Sequence, residues 1–298
     1  VRTGIDGLVG DTGLFLETVW SVRPEVFQNG ARIPTLLDEG TLWDALEYGS
    51  LTYPYVTAFG GTADHGAADR GPASLTRSRW VGGAEVPGFL DPRRVRDAFD
   101  AGATLKFNRV DHWHPATREL ARGFRDLFHG SVIAHAFLSP AGDEPVIKAH
   151  LDGAHVFVLQ VSGDKDWVVA RPTRDAESGS VFCPEGITDE DRLEFTLSPG
   201  DVLYLPHGSA HYALARSGGS LHIAIEVEEP TPEDFVDGFV AGFLSGEENR
   251  RPCPGEPRPV PIEECRRVRR DFLSYLAAVP VGEAIGLAEH NIRRRTAD

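Results

Sequence analysis

Among the eleven histidines of this 298-residue chain, one stands two residues from a carboxylate, in His150-Leu151-Asp152. Residues two apart on a strand share a face, so an imidazole nitrogen and a carboxylate oxygen from this tripeptide can grip one ion. His211 is the best third ligand. It closes the segment Gly200-Asp201-Val202-Leu203-Tyr204-Leu205-Pro206-His207-Gly208-Ser209-Ala210-His211. There a Gly-Asp turn launches an apolar strand, Pro206 and Gly208 make a tight turn, and the histidine begins the returning strand. Two histidines and one carboxylate leave coordination positions open, which is the ligand set of non-haem Fe(II) oxygenases. A zinc site with two histidines and an acid is the competing metal. The tripeptide alone is a weak signal, which a surface or core histidine would also give; the Gly200–His211 segment adds the weight.

The other histidines have plainer readings. His112 and His114 form an HxH pair just before a helix start at Pro115, and a structural or substrate-groove role is expected for them. His207 lies four residues before His211, but Pro206 and Gly208 preclude the helix that would align the two; a rim position is expected. His222, in the strand expected over Leu221–Val227, is a candidate to support the ligands from behind.

Elements of two textures must position these residues. The first third reads as short helices: Gly13–Trp20, a start at Thr41 with Asp44 as a capping box, and a segment from Asp91-Pro92 to Gly102. Leu51–Gly60 reads as a strand pair or extended edge, Gly60–Ser74 as a loop, and Pro115 to about Phe128 as a helix. From Ser131 onward, short β-type runs recur at Ser131–Leu138, His155–Ser162, Trp167–Ala170, Val202–Leu205, Tyr212–Ala215 and Leu221–Val227. This spacing predicts an antiparallel sandwich or barrel. After Glu229 the chain turns helical again, with a start at Thr231-Pro232-Glu233-Asp234 and an apolar stripe through Phe235, Phe239 and Phe243. A connector with Pro252, Pro254, Pro257, Pro259 and Pro261 follows, then two short helices over Ile262–Ile292 broken at Pro280.

Composition bounds the function. The net charge of −15 argues against general nucleic-acid binding, which needs a basic face, and favours a cationic peptide or protein partner. No apolar run approaches the ~18 to 20 residues of a membrane span. The first ten residues do not read as a targeting segment, so a cytoplasmic location is expected. Cys183, Cys253 and Cys265 lack CxxC spacing and are expected to be plain thiols. Only three lysines stand against twenty-seven arginines, and methionine is absent.

Following the metal tripeptide, Phe157-Val158-Leu159-Gln160-Val161-Ser162-Gly163-Asp164-Lys165-Asp166-Trp167 resembles the JmjC-type cupin-like oxygenases. Within them the chain is most similar to bacterial ribosomal-protein arginine hydroxylases and their animal histidine-hydroxylating relatives. Gly102-Ala103-Thr104-Leu105, Val110-Asp111-His112-Trp113-His114-Pro115 and Leu138-Ser139-Pro140 also fit, as does the turn pattern of Gly200–His211, which lacks only the polar residue usual at the position of Ala215. The resemblance covers roughly Leu14–Val227.

It implies a mainly β fold with flanking helices, a double-stranded β-helix (jelly-roll, cupin/JmjC) core over residues 1–228, and a helical C-terminal region over 229–298 that serves homodimerisation in relatives. Fe(II) is implied on His150, Asp152 and His211, with Lys165 on the distal carboxylate of 2-oxoglutarate as co-substrate. The sequence alone would equally allow Lys165 to be a turn lysine paired with Asp164 or Asp166; against that, a buried ammonium would need an anionic partner. Ser139 and His222 complete the expected cofactor contacts. Where animal relatives place an asparagine and a tyrosine, this chain has His135 and Phe137, which removes one hydroxyl contact; His135 is either a substitute donor in the pocket or a core histidine. His155 replaces an acidic position.

The implied function is a 2-oxoglutarate/Fe(II)-dependent hydroxylase of a protein or peptide side chain, a basic residue included, on a ribosomal protein or a peptide natural product. Hydroxylation of a free amino acid, a non-catalytic metal-binding cupin and a zinc hydrolase are the alternatives.

Overall fold

The computed structural model describes residues 5–28, 33–60, 71–128, 130–173, 181–183, 185–216, 218–250 and 262–297. The strands are β1 (Glu25–Gln28), β2 (Val56–Gly60), β3 (Thr76–Val81), β4 (Ala84–Leu90), β5 (Ala103–Phe107), β6 (Ser131–Ser139), β7 (His150–Leu151), β8 (His155–Ser162), β9 (Lys165–Ala170), β10 (Val181–Phe182), β11 (Arg192–Leu197), β12 (Asp201–Leu205), β13 (His211–Leu214) and β14 (Ser220–Glu228). They form a seven-stranded sheet ordered β1-β12-β8-β14-β6-β5-β2, a five-stranded sheet ordered β10-β7-β13-β9-β11, and a separate β3-β4 hairpin. The β1-β12, β12-β8, β8-β14, β6-β5 and β5-β2 pairings, every pairing of the second sheet and the hairpin are antiparallel.

Alternation along β8 explains why two layers form on one sheet. Phe157, Leu159 and Val161 join a large core with the N-terminal helices, Tyr204, Ile223 and Ile225. Val156 and Val158 point the other way and pack with Trp167, Val169, Leu197, Leu203 and Ala224, which come from both sheets. A strand buried on both faces reads as a continuous apolar run, and Val156–Leu159 at the heart of β8 is one. The result is the double-stranded β-helix, with a cavity between its sheets.

Helices α1 (Asp6–Val9), α2 (Thr12–Thr18), α3 (Glu39–Glu47), α4 (Pro72–Leu75), α5 (Pro92–Asp100), α6 (Val110–Trp113) and α7 (Pro115–Arg125) precede β6. Asp91 caps α5 and His114 caps α7, each followed by proline at the first helical position. The start of α3 differs from the expected capping box. Asp38 accepts from the Thr41 amide, so the helix begins before Thr41. Of Leu51–Gly60 only Val56–Gly60 is a strand; Thr52 makes an isolated bridge to Phe89. β1, β10, β11 and the β3-β4 hairpin were not anticipated.

By contact density the chain divides into residues 1–128 with 132–228, and residues 129–131 with 229–298. The second unit holds α8 (Pro232–Ser245), α9 (Glu247–Arg250), α10 (Ile262–Ala278) and α11 (Val281–Ala297). Thr231 and Asp234 form a reciprocal capping box at the start of α8. Phe243 packs on Phe272 and Tyr275. Gly238 lies so close to α11 that a Cβ there would sit 2.8 Å from the Ala288 nitrogen. Arg266 and Arg267 pair with Glu263 and Glu264 of their own helix, so this arginine run is an internally neutralised face. The proline-rich connector lies outside the described residues.

Candidate metal centre

His150 begins β7, Asp152 follows its last residue, and His211 begins β13. The two strands pair with His211 directly opposite His150. Backbone register thus brings together residues that are sixty positions apart in the chain. The imidazole rings lie 4.4 Å apart between centroids. His150 Nε2 stands 3.7 Å from one oxygen of Asp152, and His211 Nε2 stands 3.5 Å from the other. Among the described residues this is the one group of three or more ligand side chains whose donor atoms all fall within 4.8 Å of one another.

The hydrogen bonds behind the rings decide which nitrogens are available. His150 Nδ1 lies 2.9 Å from the Lys148 carbonyl, and His211 Nδ1 lies 3.1 Å from the Ser209 carbonyl. A carbonyl only accepts, so each Nδ1 donates a proton and each Nε2 keeps its lone pair toward Asp152. Burial holds the His211 imidazole below its ordinary pKa, the Asp152 charge opposing this, which favours the neutral, ligating form. Two neutral nitrogens and a carboxylate oxygen fit a divalent first-row ion.

The triad opens onto a cavity of about 380 Å³. Lys165 enters it from the start of β9, placed there by the turn at Gly163. That glycine has φ of +65°, and a Cβ on it would fall 2.0 Å from the Gly219 carbonyl oxygen. Gln160 clamps the same turn, its amide donating to the Ser162 and Gly163 carbonyls and to Ser220. Lys165 is 5% exposed. Its Nζ donates to Ser139 Oγ at 3.0 Å, and Thr104 Oγ1 is 3.2 Å from the same oxygen. Among the described residues no carboxylate pairs with this ammonium, and Asp164 and Asp166 do not. Asp166 instead binds Thr196 and Arg216. Burial pulls the Lys165 pKa down to about 7.

Ser139 and His222 line the same cavity. His222 stacks on Phe137, with ring centroids 4.9 Å apart and planes 5° from parallel, and meets the edge of Trp167. Burial, with the Lys165 charge adding to it, pushes the His222 pKa well down, so the ring is neutral. His135 does not line the cavity. It is buried with its Nε2 3.6 Å from Glu226, and burial together with Lys106 depresses its pKa to about 3. His112 hydrogen-bonds Tyr55, and the His207 backbone amide donates to His155; neither joins the triad. Two cavity residues had not been singled out from sequence, Lys106 and Glu226. Lys106 is one of the three lysines, but nothing in the local sequence marks either residue as facing the cavity.

Comparison with known proteins adds three findings. Residues 113–235 match the family model described as JmjC domain. Ribosomal oxygenase 1 of Rattus norvegicus is 26% identical over 216 residues, which are 68% of this chain and 34% of that protein. The bifunctional lysine-specific demethylase and histidyl-hydroxylase NO66 of Drosophila willistoni is 30% identical over 142 residues, 46% of this chain and 18% of that protein. The chain thus spans about a third or less of the length of these relatives. The X-ray structure of ycfD from E. coli shares the fold, with a TM-score of 0.56 at 21% identity, covering 93% of this chain and 70% of that one. A structure of YcfD, a ribosomal oxygenase from Escherichia coli, in complex with cobalt and 2-oxoglutarate superposes with a TM-score of 0.53 at 22% identity, covering 93% and 71%.

Proposed function

This chain carries a JmjC-type cupin domain, and on that premise we propose that it is an Fe(II)- and 2-oxoglutarate-dependent hydroxylase acting on a side chain of a protein or peptide. One observation carries the reading: the His150–Asp152–His211 group and the anion-seeking Lys165 open onto the same cavity. A zinc hydrolase has no use for a buried ammonium beside its metal. A 2-oxoglutarate oxygenase needs one to hold the far carboxylate of its co-substrate.

Iron with 2-oxoglutarate bound would supply the oxidation, coupling decarboxylation of the co-substrate to hydroxylation of a C–H bond. The chain's residues do the rest. His150 and His211, locked by the Lys148 and Ser209 carbonyls, present neutral Nε2 atoms with Asp152 as the anionic ligand. Lys165 and Ser139 form a donor pair for a carboxylate, with Thr104 orienting the serine hydroxyl. Phe137, Trp167, His222, Val156 and Val158 wall the cavity and exclude water from the reacting centre.

The relatives named for ribosomal oxygenase and histidyl-hydroxylase activity support a protein substrate. The net charge of −15 supports a cationic target through long-range attraction. A homodimer and a cytoplasmic location complete the reading; Val236, Val240 and Leu244, exposed on α8, suit the former. The test is aerobic incubation with Fe(II), 2-oxoglutarate, ascorbate and a protein extract. Succinate formation with a +16 mass on a protein residue is expected. Absence of both with iron retained would defeat the enzyme reading in favour of a binding cupin.

A further inference from the structure

The cavity has a second charged pair at the end away from Lys165. β14 presents His222, Ala224 and Glu226 to it, and four residues of strand span about 13 Å. Lys165 bonds Ser139, whereas Glu226 faces Lys106 and His135. The His150–Asp152–His211 group lines the same cavity as Lys165, Lys106 and Glu226.

Glu226 is a carboxylate whose side chain is only 18% exposed, with Lys106 Nζ 4.0 Å away and His135 Nε2 3.6 Å away. Both distances exceed a hydrogen bond, and among the described residues neither the Glu226 carboxylate nor the Lys106 ammonium has one. Both side chains are half-buried and line the cavity, so their unused hydrogen-bonding capacity is open to a ligand that displaces solvent. Phe137 stands opposite Lys106 in the β5-β6 register, with the Lys106 Nζ 5.4 Å from its ring centroid and His222 stacked on it. Lys165 instead bonds Ser139, so the two lysines have different partners.

Resting on the hydroxylase reading above, we propose that Glu226 and Lys106 together recognise a primary carboxamide, the side chain of asparagine or glutamine, as the substrate group delivered to the metal. The pair offers one acceptor and one donor side by side. A primary carboxamide carries its donor and acceptor side by side on one carbon and satisfies both. A guanidinium or ammonium has only donors and meets the Lys106 charge; a carboxylate has only acceptors and meets Glu226. An imidazole has both functions but on opposite sides of its ring, so it addresses only one partner at a time. Selection thus works by repulsion as much as by attraction.

The test is an anaerobic titration of the full chain, loaded with Fe(II) and 2-oxoglutarate, with N-acetyl N-methylamide derivatives of Gln, Asn, Arg, His and Glu, followed by ligand-observed NMR. The Gln or Asn derivative is expected to bind at least about tenfold more tightly than the others, the value of one well-made hydrogen bond. Glu226→Ala should erase this preference, and Lys106→Met should transfer it to the Arg derivative by removing the repelling charge. Equal or tighter binding of the Arg, His or Glu derivative by the unmodified protein would overturn the proposal, as would binding of none of them. A preference unchanged in Lys106→Met would overturn it even if Glu226→Ala failed to fold. Failure to take up iron and 2-oxoglutarate would instead defeat the hydroxylase reading, and the same titration without them still decides the carboxamide question.

Discussion

The two ends of the cavity each hold a partly or fully buried lysine, and the difference between them separates a cofactor pocket from a substrate pocket. Lys165 meets hydroxyls and a ring but no carboxylate among the described residues: Ser139 directly, Thr104 behind it, and the Trp167 ring 6.0 Å away. Lys106 faces the Glu226 carboxylate. One end therefore has an unbalanced positive charge and the other a balanced pair. An unbalanced buried ammonium is stable as a charge only when an anion arrives, which is why burial brings its pKa down to about 7. Glu226 responds in the opposite sense, raised to about 7 by burial although Lys106 pulls it down.

The largest effect expected on this contrast comes from removing its centre. Replacing His150 or His211 with alanine should weaken iron retention by at least ~100-fold, more than the loss of an outer partner costs. Metal content after desalting checks it, and full retention would dissolve the comparison by placing the metal elsewhere.

Next in size, Lys165→Ala should weaken 2-oxoglutarate binding by roughly 100-fold, since hydrogen bonds to charged groups contribute about 1.5 to 3 kcal/mol. Lys106→Ala should change that affinity by less than about threefold, its charge being already matched. Equal losses in the two variants would show that the ends are not distinct.

The pH dependence sharpens the same point. Near pH 8 the free Lys165 is mostly neutral, and binding of a dianionic co-substrate requires its charged form, so binding takes up a proton and weakens as pH rises above about 7. Calorimetry in buffers of different ionisation enthalpy should detect that uptake in the unmodified protein and lose it in Lys165→Met. The folding linkage runs with the opposite sign. Between pH 7 and about 10.4 the unfolded chain holds the lysine proton that the empty folded protein releases, so this group's destabilising burial fades as pH rises through that window. The smallest effect is Ser139→Ala, expected to weaken 2-oxoglutarate binding by about three- to tenfold through loss of one neutral hydroxyl contact.

How much of this could be read in the sequence depended on whether the signal was local. His150 and Asp152 are neighbours, and the Gly-Asp turn before β12 and the Pro206–Gly208 turn before β13 gave the third ligand its context. The strand His155–Ser162 was legible because its valine-rich apolar residues, interrupted only by Gln160 and bounded by Gly153 and Gly163, are hard to read otherwise. Lys165 needed the family resemblance, because a lysine in Gly-Asp-Lys-Asp reads as a turn residue; only the register of β9 and the Gly163 turn bury it. The roles of Lys106 and Glu226 were not legible, since β5 and β14 are far apart in sequence and are brought near each other only by the sheet order, with β6 between them. For His135 the same distance matters: the resemblance left it as either a pocket donor or a core histidine, and its neighbour Glu226, 3.6 Å away, comes from the distant β14. At α3 the misplaced cap has a simple cause, because Asp38 and Thr41 both have cap-forming side chains three residues apart.

The account turns on Lys165 and the His150–Asp152–His211 group acting on one co-substrate. Anaerobic addition of 2-oxoglutarate to the Fe(II) protein, followed by visible absorption, tests this directly. A metal-to-ligand charge-transfer band that saturates at one equivalent in the unmodified protein, and needs roughly 100-fold more 2-oxoglutarate in Lys165→Ala, is the predicted result. A protein that retains iron but gives no band, or a Lys165→Ala variant that saturates at the same concentration, would contradict it.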